Sequence, residues 1–198
     1  MEMRNWFRER GGIFCHLKSK YIYQNEHYIG IGVNKDKIII SKPTGVLFDF
    51  PTVQGVYERL DRNIIPLIHN LGIKVYGSGP NDAPVKDLFD KWYDYGTPYY
   101  EYLCHFRDLY AFIPGCKECM GLTAIEAQAH GATIICERGE IKDEVGILLS
   151  HYKRGDNSLI GEVYNTFNNN RFQLSQRVLD RFDMEKVASR FIEHLERL

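Results

Sequence analysis

From about residue 45 onward, short apolar runs without polar alternation take turns with longer stretches whose apolar residues recur at helical spacing. The runs are GVLFDF (45–50), IKVYG (73–77), LYAFIP (109–114) and ATIICE (132–137). A strand that is apolar on both faces is buried on both faces, which is the mark of a parallel sheet covered by helices. The intervening pattern predicts helices over 63–71, 99–107 and 121–130, with Pro66 tolerable in the first turn of the first one. Two more helices close the chain, about 158–168 and 173–198, the second breaking near Asp183. The predicted class is α/β, a Rossmann-like parallel sheet with helices on both faces and right-handed crossovers. The first forty residues fit this scheme least. There YIYQNEHYIGIG (21–32) and KIIIS (37–41) are rich in β-branched and aromatic residues and predict short strands. The expected division is a 1–41 appendage or lead-in, then one 42–198 domain.

Composition narrows the classes. The 198 residues suit one domain with a sizeable core, and 44% hydrophobic with 26% charged residues is ordinary for a globular chain. A net charge of −1 supplies no global positive field, so nucleic acid is not an expected partner. No apolar run approaches the roughly 18 residues of a membrane span. The charged start MEMRNWFRERGG does not read as a secretory signal, there is no N-x-S/T acceptor, and the five cysteines are odd in number and scattered. The expectation is a cytoplasmic protein with reduced thiols.

Candidate chemistry is concentrated in AFIPGCKECMGLTAIEAQAHGATIICE, 111–137. Cys116 and Cys119 form a Cys-x-x-Cys pair that would suit a redox thiol, but it follows several βα units. Zinc would need a second ligand pair, and none is spaced for it. Cys15, Cys104 and Cys136 lie on apolar stretches and read as core. The second signature is Glu118 and Glu126 around Gly121. A strand, a glycine loop and a helix start present unpartnered N–H groups at Gly121, Leu122 and Thr123, a seat for phosphate. Carboxylates on either side of that seat would accept hydroxyls and not the anion itself, which suits a sugar nucleotide. The plainer alternative is a solvated loop charge and a solvated helix charge. Gly77-Ser78-Gly79 after a strand lacks the third glycine of a dinucleotide fingerprint and reads as a tight turn near the ligand. Among Tyr93, Tyr95, Tyr99, Tyr100 and Tyr102, one stacking on a base or sugar competes with simple packing. His130 reads as a helix C-terminal residue, Lys35, Asp36 and Lys37 as a solvated turn, and the tail DRFDMEKVASRFIEHLERL as a charged surface over an apolar stripe.

The stretch E-C-M-G-L-T-A-I-E-A-Q-A-H-G, 118–131, resembles the signature of the family four retaining glycosyltransferases, which have the GT-B fold. The E-x₇-E spacing, the Gly121-Leu122 pair and the Ala127/Ala129/Gly131 tail match. GVNKDKIIISKPTGVLFDF, IKVYGSGPND and YGTPYYEYLCHFRDLYAFIP are similar in order to that family's lead-in, second strand and base-facing loop, so the likeness runs from about Gly32 to Leu198. It implies the donor-binding half of a GT-B enzyme, a metal-independent transfer of a hexose from a nucleoside diphosphate sugar to a hydroxyl acceptor, with no cofactor. It implies Glu126 at the ribose, and Glu118 at the transferred sugar as the candidate catalytic group. Met120, Gly121, Leu122 and Thr123 complete the seat, with Gly77, Gly79, Gly96 and Thr97 from preceding loops.

Two departures stand out. The family's Arg and Lys after the first strand are absent from PTVQGVYERLDRN, where Arg59 and Arg62 are the available cations. And only about forty residues precede the donor domain. A minimal enzyme, or a donor domain served by an acceptor-domain partner or a second copy, both fit. So does a non-catalytic nucleotide-binding module.

Overall fold

The protein is described by a computed structural model covering residues 14–16, 26–28, 33–50, 60–114, 122–138 and 149–196. Eight strands and six helices lie among them. Strands β1 (Phe14–His16) and β2 (Glu26–Tyr28) form a small parallel pair. The remaining strands are β3 (Gly45–Asp49), β4 (Lys74–Gly79), β5 (Lys91–Asp94), β6 (Leu109–Pro114), β7 (Thr133–Glu137) and β8 (Leu149–Tyr152). They make one all-parallel sheet in the order β5-β4-β3-β6-β7-β8. Counted from β3 this is 3-2-1-4-5-6, the doubly wound order of Rossmann-like domains. The chain moves outward from β3 in one direction, then crosses back to lay β6 on its other side. Such a reversal opens a crevice at the carboxyl ends of the strands.

Strand alternation assigns the two faces. Val46, Phe48, Val75, Ala111, Ile113 and Ile135 point to one core, covered by α1 (Ile64–His69) and α4 (Ser158–Asn165). Leu47, Phe112, Ile134 and Cys136 point to the other. That second core is covered by α2 (Tyr99–Phe106), α3 (Leu122–Ala129) and α5 (Arg171–Phe182). By the same period of two, Asp49 and Ser78 fall on the α2/α3 face. They are direct neighbours across the β3–β4 ladder.

At the amino ends of the strands, the Arg171 guanidinium ties three loops together. Its Nε donates to the Gly131 carbonyl (3.2 Å), Nη2 to Arg107 (2.7 Å) and His130 (3.0 Å), and Nη1 to Ser41. Gly131 ends α3 at φ +86°, and a Cβ there would stand 2.8 Å from the Arg171 carbonyl oxygen. Buried His130 donates through Nδ1 to the Ile39 carbonyl at 2.8 Å.

Several expectations need correcting. KIIIS forms no strand. Ile38 packs on the core and Ser41 bonds Asp108 and Arg107, so its polar groups go to loops and not to a ladder. Lys35–Lys37 is an exposed 3₁₀ turn, as the charge pattern suggests, though Lys35 pairs with Asp183 and Glu185. Gly77-Ser78-Gly79 is not a turn: β4 runs through it, because a Cβ at Gly77 would meet the Trp92 ring at 2.4 Å and the glycines let β5 pack close. Cys104 is exposed on α2 and is not a core residue. The tail divides at Asp183 into α5 and α6 (Met184–Leu195), but its apolar stripe is partly uncovered, with Met184 and Ile192 exposed. Strands β5 and β8 were not anticipated.

Candidate functional site

A cleft of about 370 Å³ opens at the carboxyl ends of β3, β4 and β5, beside the reversal of strand order. Asp49, Ser78 and Gly79 contribute the strand ends. Tyr93, Asp94, Tyr95 and Thr97 come from β5 and the turn after it. Tyr102 of α2 and Thr123 of α3 face in from above the sheet. The turn is held by the Thr97 N–H on the Asp94 carbonyl (2.8 Å) and folded back over β3 by the Tyr95 hydroxyl on the Phe50 carbonyl (3.3 Å). Gly79 is required here: its φ is +155° and a Cβ would lie 2.5 Å from the Phe50 carbonyl oxygen.

Asp49 is the polar centre of the cleft. Its Oδ1 accepts from the Ser78 hydroxyl and, at 3.3 Å, from the Tyr102 hydroxyl, while those two hydroxyls are 3.3 Å apart. Burial pushes the Asp49 carboxyl above the usual carboxylate range, and the two hydroxyl donors offset this in part. Its hydrogen-bond partners among the described residues are both neutral.

The adjoining wall is neutral and aromatic. Tyr93 is buried, packs edge-on to Tyr102 with centroids 6.2 Å apart, and lies against the His105 ring at 4.1 Å. Burial raises the Tyr93 phenol and lowers His105, so both are uncharged at neutral pH. The Lys91 ammonium sits over Tyr93 at 4.6 Å from the centroid. Asp94 is paired with Lys86.

Of the expected site residues, the structure brings Gly79, Thr97 and Thr123 into this cleft. Gly77 packs against Trp92, and Gly96 is exposed in the adjacent turn with open space where a side chain would be. Arg62 is exposed in the turn ahead of α1 and does not line the cleft. Glu126 is half-buried on α3, outside the lining set, and is engaged within the protein. Leu122 is the first residue of α3. Arg59, Glu118, Met120 and Gly121 lie outside the described residues, as do Cys116 and Cys119. Asp49 went unnoticed in the sequence. A lone acid ending an apolar run, LFDF, was its one available signal. Among the described residues no three His, Cys, Asp or Glu side chains are grouped to hold a metal ion. No described helix is long and apolar enough to cross a membrane.

A second, open cleft lies at the ends of β7 and β8, lined by Arg138, His151, Lys153 and Asp156 among others. Its charges are mixed, and its Glu137 is already paired with Arg154.

No family model and no curated protein sequence matches this chain. Its fold, however, is that of known glycosyltransferases. A glycosyltransferase from Rickettsia africae superposes with a TM-score of 0.70 at 12% identity, over 99% of this chain and 66% of that one. TarM gives 0.62 at 11% identity, over 97% and 45%. AviGT4, a glycosyltransferase of avilamycin A biosynthesis, gives 0.61 at 13% identity, over 88% and 59%. The chain therefore spans between 45% and 66% of the length of these proteins. At such identities the likeness is one of fold: a six-stranded, Rossmann-like α/β domain shared with glycosyltransferases.

Proposed function

We propose that this chain is the donor-binding half of a retaining GT-B glycosyltransferase, and that a nucleoside diphosphate sugar occupies the cleft at the β3/β6 reversal. The observation that carries this reading is the placement of that cleft. It joins the ends of β3, β4 and β5 to the start of α3, in a fold shared with glycosyltransferases. Among those neighbours, an S. aureus TarM variant was crystallised with UDP and α-GlcNAc-glycerol, and a trehalose-phosphate synthase is UDP-forming.

In this reading the diphosphate lies at the amino end of α3. There the first N–H groups lack intrahelical partners and the helix dipole favours an anion. As the bond to the anomeric carbon breaks, the negative charge grows on the leaving phosphate, and those same N–H groups stabilise it without a metal. Thr123 stands at that helix end and in the cleft. Glu126 holds the ribose hydroxyls and Glu118 the transferred sugar. A hydroxyl acceptor approaches from the open side, where a second domain or subunit would exclude water and orient it. A module that binds the nucleotide without transferring the sugar is the alternative.

Calorimetric titration of the full chain with UDP-, GDP- and ADP-glucose tests the reading. Binding of one of them, weakened by Glu126→Gln by about tenfold or more for the conjugate and the free diphosphate alike, supports it. No binding of any of the three at about 1 mM would sink it. With a panel of sugar acceptors, release of diphosphate separates a transferase from a binding module.

A further inference from the structure

The reversal of strand order places one acidic side chain where an anion-binding cleft has no obvious use for it. Asp49 ends the central strand β3, and its carboxyl lines the same cleft as Thr123 at the start of α3. Among the described residues no cation accompanies it. Its two donors, Ser78 and Tyr102, both bond the same oxygen, Oδ1. Two donors from different elements, β4 and α2, fix the carboxyl plane as well as its position. Oδ2 has no protein partner among the described residues. The other ionisable groups on the surrounding elements are otherwise engaged or neutral: Asp94 is paired with Lys86, Tyr93 and His105 are uncharged, Lys91 covers the Tyr93 ring, and Glu126 is engaged within the protein.

A half-buried carboxyl held on one oxygen and, among the described residues, open on the other is an acceptor waiting for a donor. Leaving such a group desolvated and half-satisfied is costly, and a ligand that donates to it recovers the cost. Phosphate cannot, since like charges repel. A hydroxyl can, and to the ionised form it donates a charge-assisted bond. The neutral aromatic wall of Tyr93 and Tyr102 beside it suits the apolar face of a pyranose or ribose ring.

We infer that Asp49 is a specificity-determining residue of this cleft, whose Oδ2 accepts a hydrogen bond from a sugar hydroxyl of the ligand while Ser78 and Tyr102 hold Oδ1. The inference rests on the proposed sugar-nucleotide reading and adds to it a hydroxyl contact from the first strand. The hydroxyl belongs either to the ribose or to the transferred sugar. The chemistry is common to both, and the ligands used in the test tell them apart.

The test is calorimetry on the full chain, wild type and Asp49→Asn, with the best-bound of UDP-, GDP- and ADP-glucose and with its free diphosphate. Asn keeps the shape and the Oδ1 acceptor for Ser78 and Tyr102, but turns an NH₂ donor toward the ligand. The expected result is a loss of about ten- to a hundredfold in affinity for the sugar nucleotide. An equal loss for the free diphosphate assigns the ribose, and a loss confined to the conjugate assigns the transferred sugar. Asp49→Asn binding both ligands within about twofold of wild type, or binding both more tightly, overturns the inference while leaving the sugar-nucleotide reading intact. Wild-type protein that binds none of the sugar nucleotides overturns that reading, and this inference with it. Ser78→Ala is the second variant, should Asp49→Asn not fold. It frees Oδ1 without removing the charge, and the same ligand should bind several-fold more weakly, whereas unchanged affinity counts against the inference.

Discussion

Arg171 and Asp49 are half-buried ionisable groups at opposite ends of one sheet, and they are treated in opposite ways. Arg171, at the amino ends of the strands, donates to four backbone carbonyls from three loops. Asp49, at the carboxyl ends, is met by two hydroxyls on a single oxygen. Burial disfavours the charged form of both, lowering Arg171 and raising Asp49. What differs is completion. The arginine's donors are spent on the fold, and so it belongs to stability. The aspartate keeps an acceptor in hand and faces a cleft, and so it belongs to a ligand. In a doubly wound sheet this division follows from topology: the amino ends are closed by the returning loops, and the carboxyl ends splay apart where the strand order reverses.

The largest effect should come from breaking the completed end. Arg171→Met removes four hydrogen bonds to a charged donor and leaves the carbonyls of Ser41, Arg107, His130 and Gly131 without it. Charged hydrogen bonds contribute about 1.5–3 kcal/mol each when broken singly, and these four share one side chain and do not add. A loss of about 3 kcal/mol in urea unfolding is expected. Arg171→Lys should recover less than half of that, because a single ammonium cannot span three loops. A lysine variant as stable as wild type would mean that charge, and not the planar fork, is what matters there.

Gly79→Ala comes next and strikes the cleft end. The new Cβ would stand 2.5 Å from the Phe50 carbonyl oxygen and 3.1 Å from Trp92, at a φ of +155°. Overpacking and backbone strain of this kind cost about 1–3 kcal/mol. Because the displaced carbonyl also holds Tyr95, sugar-nucleotide affinity should fall together with stability. Loss of stability with untouched affinity would separate the β5 turn from the binding site.

Much of this architecture was legible in the sequence because burial on both faces writes itself as apolar runs. β3, β6 and β7 were placed within a residue for that reason, and the break near Asp183 was placed as well. β5 was not, because KWYD mixes one exposed, one buried and two half-buried positions at a sheet edge and is only four residues long. β8 is equally short, with every residue half-buried. KIIIS misled for the converse reason: its β-branched residues favour a strand, but its hydrogen bonds are taken by His130, Arg107 and Asp108. At the site, Gly79, Thr97 and Thr123 were named from the sequence. Asp49 was not, since its meaning lies in two partners, one 29 residues and the other 53 residues away in the chain.

The amino end should also respond to acid. Burial, assisted by the Arg171 and Arg107 charges, holds His130 below the ordinary histidine value, and the Ile39 carbonyl opposes this only in part. The folded value lies below the unfolded value of about 6.5. The neutral ring's contribution is therefore fully present above that pH and lost as pH falls through the folded value. His105 shifts the same way at the cleft end. Thermal unfolding between pH 7.5 and pH 5 should show stability falling with pH. His130→Asn, which can still donate to Ile39, should make that fall shallower without abolishing it, since His105 remains. An unchanged slope would remove His130 from the account.

The smallest effect, and the most discriminating, is that of Asp49→Asn on stability. Burial raises the Asp49 carboxyl above its unfolded value of 3.8, so the folded state binds this proton more tightly than the unfolded chain does. Its favourable contribution is then fully present below that value and is lost as pH rises through the folded one. At pH above its unfolded value, keeping this carboxyl in the fold is a net burden, relieved only in part by Ser78 and Tyr102. Asparagine keeps both hydroxyl bonds and carries no charge. The variant should therefore melt slightly higher than wild type at pH 7.5 and equally near pH 3.5, where the wild-type carboxyl is itself neutral. Arg171 offers no such gain, since each of its three nitrogens already donates. A residue whose neutral replacement stabilises the empty protein but weakens its grip on a sugar nucleotide is one retained for binding. If Asp49→Asn instead melts lower at pH 7.5, the carboxylate is a completed structural group like Arg171, and the contrast between the two ends of the sheet fails.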